Sequence, residues 1–368
     1  MTASERRTCT RDTVIKKKIT INELAREAGV SKTTVSFAFN NPEKISPETR
    51  ARIAAIADRL GYIPNPVART LTTNRIGSIG LLLPQDIHES FQNPFISEFL
   101  QGLGSVCVDE ELSVTIVTPL AGDINKSIRN AAVDGFVALG LEERMTTFQV
   151  LKDRRLPFVC VDVETPPDIP SVKSDDGSGT RALMEHLLGH GHSDIVILSF
   201  KPAAQYHENR NSLVKDIRLS GYLEAYEAGG GASGIGGSPA RRNLQVLECL
   251  CSERGGFEAM REMHSAGKRP TAVVCLSDVI ALGVMRYCFE NRISIPGDVS
   301  ITGFDDIAAA SLVRPALTTV SQQILAKGKT AGRMVIDLMK KREIALHCQL
   351  ETSLCVREST GTARACLK

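Results

Sequence analysis

The chain has 368 residues, of which 42% are hydrophobic and 23% charged, as in globular proteins with room for two or three domains. Its net charge of +2 conceals an asymmetry. Residues 1–76 carry 14 Lys and Arg against 7 Asp and Glu, whereas the other 292 residues carry 30 against 35. The resulting charges of +7 and −5 favour a polyanionic partner for the amino-terminal part alone.

Several classes of protein and site are not expected from this sequence. No apolar run reaches the roughly 18 residues of a membrane span, and the basic amino terminus lacks the apolar stretch of a secretory signal. The ten cysteines form no paired zinc motif, which favours reduced thiols and a cytoplasmic location. Because neither a phosphate-binding loop nor a set of nucleophile, base and acid is found, we expect no enzyme activity, no cofactor and no metal.

Residues 19–63, which follow a flexible basic tail over 1–18, are predicted to form three short helices. Residues suited to cap these helices occur at the required spacing, namely Thr20 with Glu23, Gly29, Ser31, Ser46 and Gly61. The second helix has an inward face of Val35, Ala38 and Phe39. Its opposite face, with Thr33, Ser36, Phe37 and Asn40, suits a DNA groove, because hydroxyls and amides bond to phosphates and base edges. An ordinary helical hairpin is the alternative.

A short helix is also predicted within the linker 64–75. Asn65 can cap it and Pro66 can occupy its first position, so it could run to about Thr73. A helix of this length is marginal alone in water and needs a partner to order it. The alternative is a plain interdomain linker.

The core, 76–358, alternates short apolar strands with helices, which indicates a parallel α/β fold of two subdomains. Polar residues follow several strands, at the edge where such sheets bind ligands: Asp162, Ser277 and Asp278. Phe91 and Phe95 follow the first strand and could stack on a sugar ring. Asp278 could instead cap the next helix, and Phe95 could belong to the hydrophobic core.

Almost the whole chain resembles the LacI/GalR family of bacterial transcription regulators. Four stretches match in order: ITINELAREAGVSKTTVSFAFNN, LGYIPNPVARTLTTNRIGSIGLLLP, DDGSGTRALMEHLLGHGHSDIVIL and RPTAVVCLSDVIALGVMRYCFENRISIPGDVSITGFDDIAAASLVRPALTTV. The resemblance implies a helix-turn-helix headpiece (19–63) and a core of two Rossmann-like subdomains, built like a periplasmic binding protein. We expect one subdomain over about 76–174 and 304–331, the other over about 175–303 and 332–358, and a tail over 359–368.

The resemblance also implies partners and residue roles. The expected molecule is a homodimeric repressor that binds a pseudo-palindromic operator and a small-molecule effector, a carbohydrate or related metabolite. Base reading is implied for Lys32, Thr33 and Phe37, phosphate contacts for Thr20, Ser31, Ser36 and Asn40, and minor-groove insertion for Leu71, beside Asn65 and Ala68. Effector contacts are implied for Arg218 and Asp305, whose guanidinium and carboxylate suit hydroxyl groups. The linker helix is expected to fold on operator DNA.

Phe37 departs from the family pattern, in which Arg or His is common and can bond guanine. Phenylalanine can only contact an apolar edge such as the thymine methyl group, so we predict half-sites with thymine at that position. Alternatively, Phe37 turns inward beside Phe39. For the whole chain, the alternatives are a solute-binding protein of the same core fold and an α/β enzyme that uses a nucleotide.

Overall fold

The computed structural model describes residues 19–65, 70, 75–140, 146–201, 213–229 and 243–364. The chain forms two compact units, Met1–Ile76 and Gly77–Lys368. The predicted contacts at Ala68 and Leu71, and most of the linker helix, lie outside the described residues. Among the residues described, no helix combines the length and the apolar character needed to cross a membrane.

The described part of the first unit contains three α-helices: α1 (Ile21–Ala28), α2 (Lys32–Asn40) and α3 (Pro47–Leu60). The predicted caps are confirmed, since Thr20 and Glu23 form a reciprocal capping box and Gly29 adopts a left-handed φ of 64°. Three fully buried side chains, Leu24, Val35 and Ile53, come from the three helices and hold them together.

The first sheet of the second unit is parallel, with the strand order β2–β1–β3–β4–β5–β11. Its strands are β1 (Ser78–Leu82), β2 (Ser113–Val117), β3 (Gly135–Leu139), β4 (Phe158–Val161), β5 (Ser171–Ser174) and β11 (His347–Leu350). The accompanying helices are α4 (Ile87–Ser90), α5 (Pro94–Asp109), α6 (Ile124–Asn130), α7 (Thr146–Asp153) and α13 (Ile324–Met339). This sheet and its helices form the first subdomain.

The second subdomain has the parallel sheet β7–β6–β8–β9. Its strands are β6 (Asp194–Phe200), β7 (Asn243–Cys249), β8 (Ala272–Cys275) and β9 (Ser300–Thr302). Beside them lie the helices α8 (Asp176–Gly189), α9 (Leu213–Ala228), α10 (Glu253–Ser265), α11 (Asp278–Glu290) and α12 (Ala308–Leu312). An antiparallel ribbon of β10 (Thr319–Ser321) and β12 (Ser353–Cys355) completes it.

The predicted division of the core after residue 303 is wrong for residues 304–321 and 332–350. Residues 304–321 belong with the second subdomain, because Phe304 and Val320 are buried in its core. Residues 324–350 belong with the first, because α13 packs against α5 and β11 pairs with β5. The chain therefore crosses between subdomains near Gln322 and again at 351–352, where Thr352 Oγ1 donates to the Asp175 carbonyl at 2.7 Å.

The predicted tail over 359–368 is also incorrect in its first residues. Ser359 is completely buried, and its hydroxyl donates to the Ile301 carbonyl at 2.6 Å while accepting from the Thr318 N–H at 2.8 Å. These bonds satisfy polar groups beside β9, so the chain stays part of the fold beyond residue 358.

Close packing of α5 against α13 depends on glycine. A Cβ at Gly102 would lie 2.2 Å from the Leu325 carbonyl oxygen, whereas a Cβ at Gly104 would meet nothing within 4 Å. We expect Gly102→Ala to destabilise the core by about 1–3 kcal/mol through overpacking. Gly104→Ala, in the same helix, should stabilise it by about 0.5–1 kcal/mol. Urea unfolding measures both, and equal effects would contradict the packing argument.

Candidate functional site

The outer surface of α2 presents the polar residues that the sequence predicts for DNA contacts. Ser31, Lys32 and Thr33 are exposed at its amino-terminal end, where Ser31 Oγ accepts from the Thr34 N–H at 3.0 Å. One turn further along, Asn40 Nδ2 donates to Ser36 Oγ at 3.2 Å, which fixes two half-buried side chains. Helix α2 therefore presents hydroxyl, amide and ammonium groups outside the headpiece core, in keeping with the predicted reading surface.

Phe37 lies on this outer surface and not in the headpiece core. Its ring is half-buried, with the Lys44 ammonium 5.2 Å from the ring centroid. Phe39 instead packs against the core and contacts Tyr62, with ring centroids 5.8 Å apart. Thr20, the remaining headpiece position, is exposed and engaged in its capping box, and Asn65 is exposed beyond α3.

A buried network of charged and amide side chains lies where the two subdomains of the core meet. We call it the polar cluster; it consists of Asp162, Asp176, Arg218, Ser277, Asp305, Gln322 and Lys327. Asp162, Ser277 and Asp305 follow the carboxyl ends of β4, β8 and β9. Because each sheet is parallel, the carboxyl ends of its strands lie at one edge, where such sheets bind ligands. The structure thus brings together predicted residues from both sheets.

Arg218 holds the half of the cluster that belongs to the second subdomain. Its Nε donates to Asp176 Oδ2 at 2.7 Å, and its Nη1 donates to the Leu276 carbonyl at 2.7 Å and to Asp305 Oδ1 at 3.2 Å. The guanidinium also lies 3.8 Å from the Phe304 ring centroid. Burial alone would lower the pKa of Arg218, but the two carboxylates outweigh it and raise that pKa, so this side chain is a fixed cation.

Lys327 holds the other half, on the first subdomain. This fully buried side chain donates from Nζ to both Asp162 oxygens, at 2.7 and 2.9 Å, and to Gln322 Oε1. Gln322 in turn donates from Nε2 to Asp305 Oδ1 at 2.5 Å. Burial raises the pKa of Asp162, and the ammonium opposes that rise. Gln322 therefore joins the Asp162–Lys327 pair to the carboxylate that Arg218 holds.

Sequence reasoning missed three members of the cluster. Asp176 follows β5, so the strand-end argument could have identified it. Lys327 shares the apolar face of α13 with the buried residues Ile324 and Ala331, and a lysine on such a face is a recognisable signal. Gln322 carried no signal, because its role depends on the crossing of the chain between subdomains.

The predicted effector contact at Asp278 is not supported by its surroundings, and neither is the alternative side-chain cap. Asp278 is completely buried; Oδ1 accepts from Thr319 Oγ1 at 2.5 Å and Oδ2 from the Ile307 N–H at 2.9 Å. Ser277 occupies the cap position of α11, and its hydroxyl donates to Asp305 Oδ2 at 2.6 Å. Asp278 thus ties α11 to β10 and to the start of α12, which is a structural role.

Asp278 should make the stability of the core depend on pH. Burial, followed by the charge of Asp305, raises its pKa from 3.8 to about 8. The folded protein holds this proton more tightly than the unfolded chain does. The protonated carboxyl therefore adds to the free energy of unfolding; this stabilisation is complete below pH 3.8 and is lost as the pH rises to about 8. Urea unfolding at pH 5 and pH 8 should show this loss in the wild type and a smaller one in Asp278→Asn. Identical losses would contradict it.

The two predicted aromatic contacts separate in the structure. Phe95 is 9% exposed, stacks on Phe99 with centroids 6.2 Å apart, and has Lys327 Nζ at 5.7 Å from its ring centroid. It is therefore a core residue at the border of the polar cluster, as the alternative interpretation allowed. Phe91 is 39% exposed at the end of α4, and no ring contact joins it to the cluster within the part of the chain that the structure describes.

Comparison with known proteins gives matches to both units. Residues 20–65 match the family model described as "Bacterial regulatory proteins, lacI family", and residues 184–360 match a "Periplasmic binding protein-like domain". A helix-turn-helix transcriptional regulator of Mycobacterium tuberculosis is 33% identical over 338 residues, which cover 87% of this chain and 91% of that protein.

Solved structures agree with the sequence relatives. The Lac repressor dimer bound to operator and the anti-inducer ONPF has a TM-score of 0.76 and 25% identity, covering 94% of this chain and 100% of that one. The transcriptional regulator CelR in complex with cellobiose has a TM-score of 0.64 and 25% identity, covering 93% and 100%. The helical first unit and the two-sheet core thus occur together in DNA-binding regulators.

Proposed function

The chain belongs to the LacI family of bacterial transcriptional regulators, and we propose that it is a homodimeric repressor whose operator affinity is set by a small-molecule effector. The headpiece binds DNA through α2, with Lys32, Thr33 and Phe37 at base edges and the neighbouring hydroxyls at phosphates. The effector binds at the polar cluster in the core. In this proposal the protein works in the cytoplasm and has no catalytic role.

The proposal for the headpiece is supported by its charge and by the polar groups on the outer surface of α2. Residues 1–76 carry a net charge of +7, as expected for a surface that neutralises phosphates. The match of residues 20–65 to the regulator family favours this function over that of a solute-binding protein with the same core fold. The Lac repressor neighbour was solved as a dimer on its operator, which supports the same mode of binding here.

The observation that carries the effector proposal is the bond of Gln322 to both halves of the polar cluster. Gln322 accepts from Lys327 on the first subdomain and donates to Asp305 on the second. A ligand that bonds to these groups changes how the two subdomains are held together, which supplies the coupling free energy of an allosteric regulator. CelR was solved with cellobiose, which supports a carbohydrate as the ligand class.

A gel-shift titration with a library of DNA fragments tests the proposed DNA binding. We expect sequence-selective binding whose affinity falls linearly with salt on a double-logarithmic plot, because phosphate contacts release counterions. Lys32→Ala should weaken binding, whereas Lys329→Ala, on the exposed surface of α13 in the core, should not. Binding that is insensitive to salt, or equally weakened by both substitutions, would contradict the proposal.

A further inference from the structure

The side chain of Lys44 lies over the ring of Phe37 at the outer surface of α2. A short 3₁₀ turn, Pro42–Lys44, follows this helix. The Asn41 N–H donates to the Phe37 carbonyl at 3.0 Å, and the Lys44 N–H donates to the Asn41 carbonyl at 3.0 Å. Because Ile45 then packs against the headpiece core, the turn is held against the end of α2. The Lys44 ammonium is thereby kept 5.2 Å from the Phe37 ring centroid, within the range of a cation–π contact.

The ammonium of Lys44 is not neutralised by an ion pair with any residue in the range 19–65. Its side chain is exposed, and the ion pair found in that range joins Arg59 to Glu27 instead. Residues 19–65 carry six Lys and Arg against five Asp and Glu, so this three-helix part contributes only +1 to the +7 of residues 1–76. General attraction of the three helices to phosphates is therefore small, and the position of each cation matters.

Contact of Phe37 with a thymine would bring the Lys44 ammonium into the major groove. The ring excludes water where it packs on the methyl group, and an ammonium that loses water needs acceptors in exchange. Guanine offers two of them there, N7 and O6, and lysine is one of the side chains that commonly bond to both. Successive base pairs are about 3.4 Å apart along the helix axis, so an ammonium beside the ring is close to the neighbouring pair.

We propose that Phe37 and Lys44 read two adjacent base pairs together. The Phe37 ring packs on a thymine methyl group, and the Lys44 ammonium donates to N7 and O6 of a guanine in the next base pair. Lys44 follows α2 and was not among the predicted contacts, so it is a further residue that determines sequence specificity. This inference rests on the DNA-binding function proposed for the headpiece.

Selection from a randomised operator library, with the wild type and Lys44→Met, tests the inference. Methionine keeps an unbranched side chain of similar length without the ammonium. We expect the wild type to select guanine next to the thymine, and the variant to lose that preference by about 5- to 150-fold in competition binding. Equal weakening for all sequences would mean that Lys44 contacts a phosphate, which carries no sequence information, and would overturn the inference, as would an unchanged preference.

Arg52→Met is the matched control for the lost charge. Arg52 is exposed on α3, so its replacement removes one positive charge from the same headpiece by the same substitution. We expect its selected sequence to be that of the wild type. A loss of the guanine preference in both variants would show that charge alone is responsible and would reject a specific contact by Lys44.

A double-mutant cycle tests whether the ring and the ammonium act together. Phe37→Leu keeps an apolar side chain but removes the aromatic face that holds the ammonium. In this background, Lys44→Met should reduce the guanine preference by about 2- to 5-fold less than it does in the wild type. Additive effects of the two substitutions would overturn the joint reading.

The same selection separates this inference from the function on which it rests. A wild type that binds one operator sequence selectively, but without a guanine preference that depends on Lys44, rejects the role of Lys44 alone. Loss of all sequence selectivity in the wild type rejects the regulatory function itself.

Discussion

Replacing Arg218 by alanine is expected to destabilise the core by about 3–5 kcal/mol, because it removes one partner of a buried ion pair. The side chain of Arg218 is 5% exposed, and those of Asp176 and Asp305 are 9% and 4% exposed. Without the guanidinium, two buried carboxylates lose their nearest counter-charge, and the Leu276 carbonyl loses its donor. Urea unfolding followed by circular dichroism measures the loss.

Arg181→Ala is the matched control for this substitution. Arg181 pairs with Glu224 at 4.0 Å, and their side chains are 58% and 68% exposed. An exposed pair of this kind contributes about 0–1 kcal/mol, so the control should unfold close to the wild type. Arg218→Ala should also abolish stabilisation by effector while leaving sequence-selective DNA binding below the unfolding temperature. If Arg218→Ala and Arg181→Ala unfold with equal stability, the claim that the buried ion pairs of Arg218 stabilise the core is contradicted.

Elements with regular apolar spacing could be predicted from the sequence, since that spacing reports burial directly. Strands β1, β3, β4, β6 and β8 are almost continuously buried, and such apolar runs are the signal from which the sequence predicts an alternating α/β core. By contrast, β7 and β11 lie at sheet edges, consist mainly of exposed and half-buried residues, and have no such apolar run. The assignment of α13 and β11 to the first subdomain depends on contacts between residues far apart in the sequence. Strand β11 pairs with β5, and α13 packs against α5.

The polar cluster was predictable only in part, for a related physical reason. Asp162 and Ser277 are predictable because they follow apolar strands, and Arg218 and Asp305 are implied by the resemblance to the LacI/GalR family. The partner of Asp162 is Lys327, 165 residues away along the chain. A lysine is expected at the surface unless it is paired, and the pairing requires the fold. For Asp278 the prediction fails in the opposite way. This strand-end carboxylate is predicted to contact the effector, but both of its oxygens accept hydrogen bonds from residues within the core.

A single substitution on α2 should change which base pair the headpiece prefers. Phe37 offers an apolar ring at the outer surface of α2, where it can contact a thymine methyl group but cannot bond guanine. Phe37→Arg introduces a side chain that can donate two hydrogen bonds to guanine O6 and N7. We expect selection from a randomised operator library to return thymine at this position for the wild type and guanine for the variant.

The expected size of the change in base preference follows from the hydrogen bonds to guanine, and its control follows from the packing of the headpiece. Each good pair of bonds between a side chain and a base discriminates by about 1–3 kcal/mol, so competition binding should shift by about 5- to 150-fold. Phe39→Ala serves as the control, because Phe39 packs against the headpiece core and Tyr62. Its loss should weaken all sites alike without changing base preference. A wild type that already selects guanine at this position would show that another side chain reads it, since a phenylalanine ring has no donor to offer.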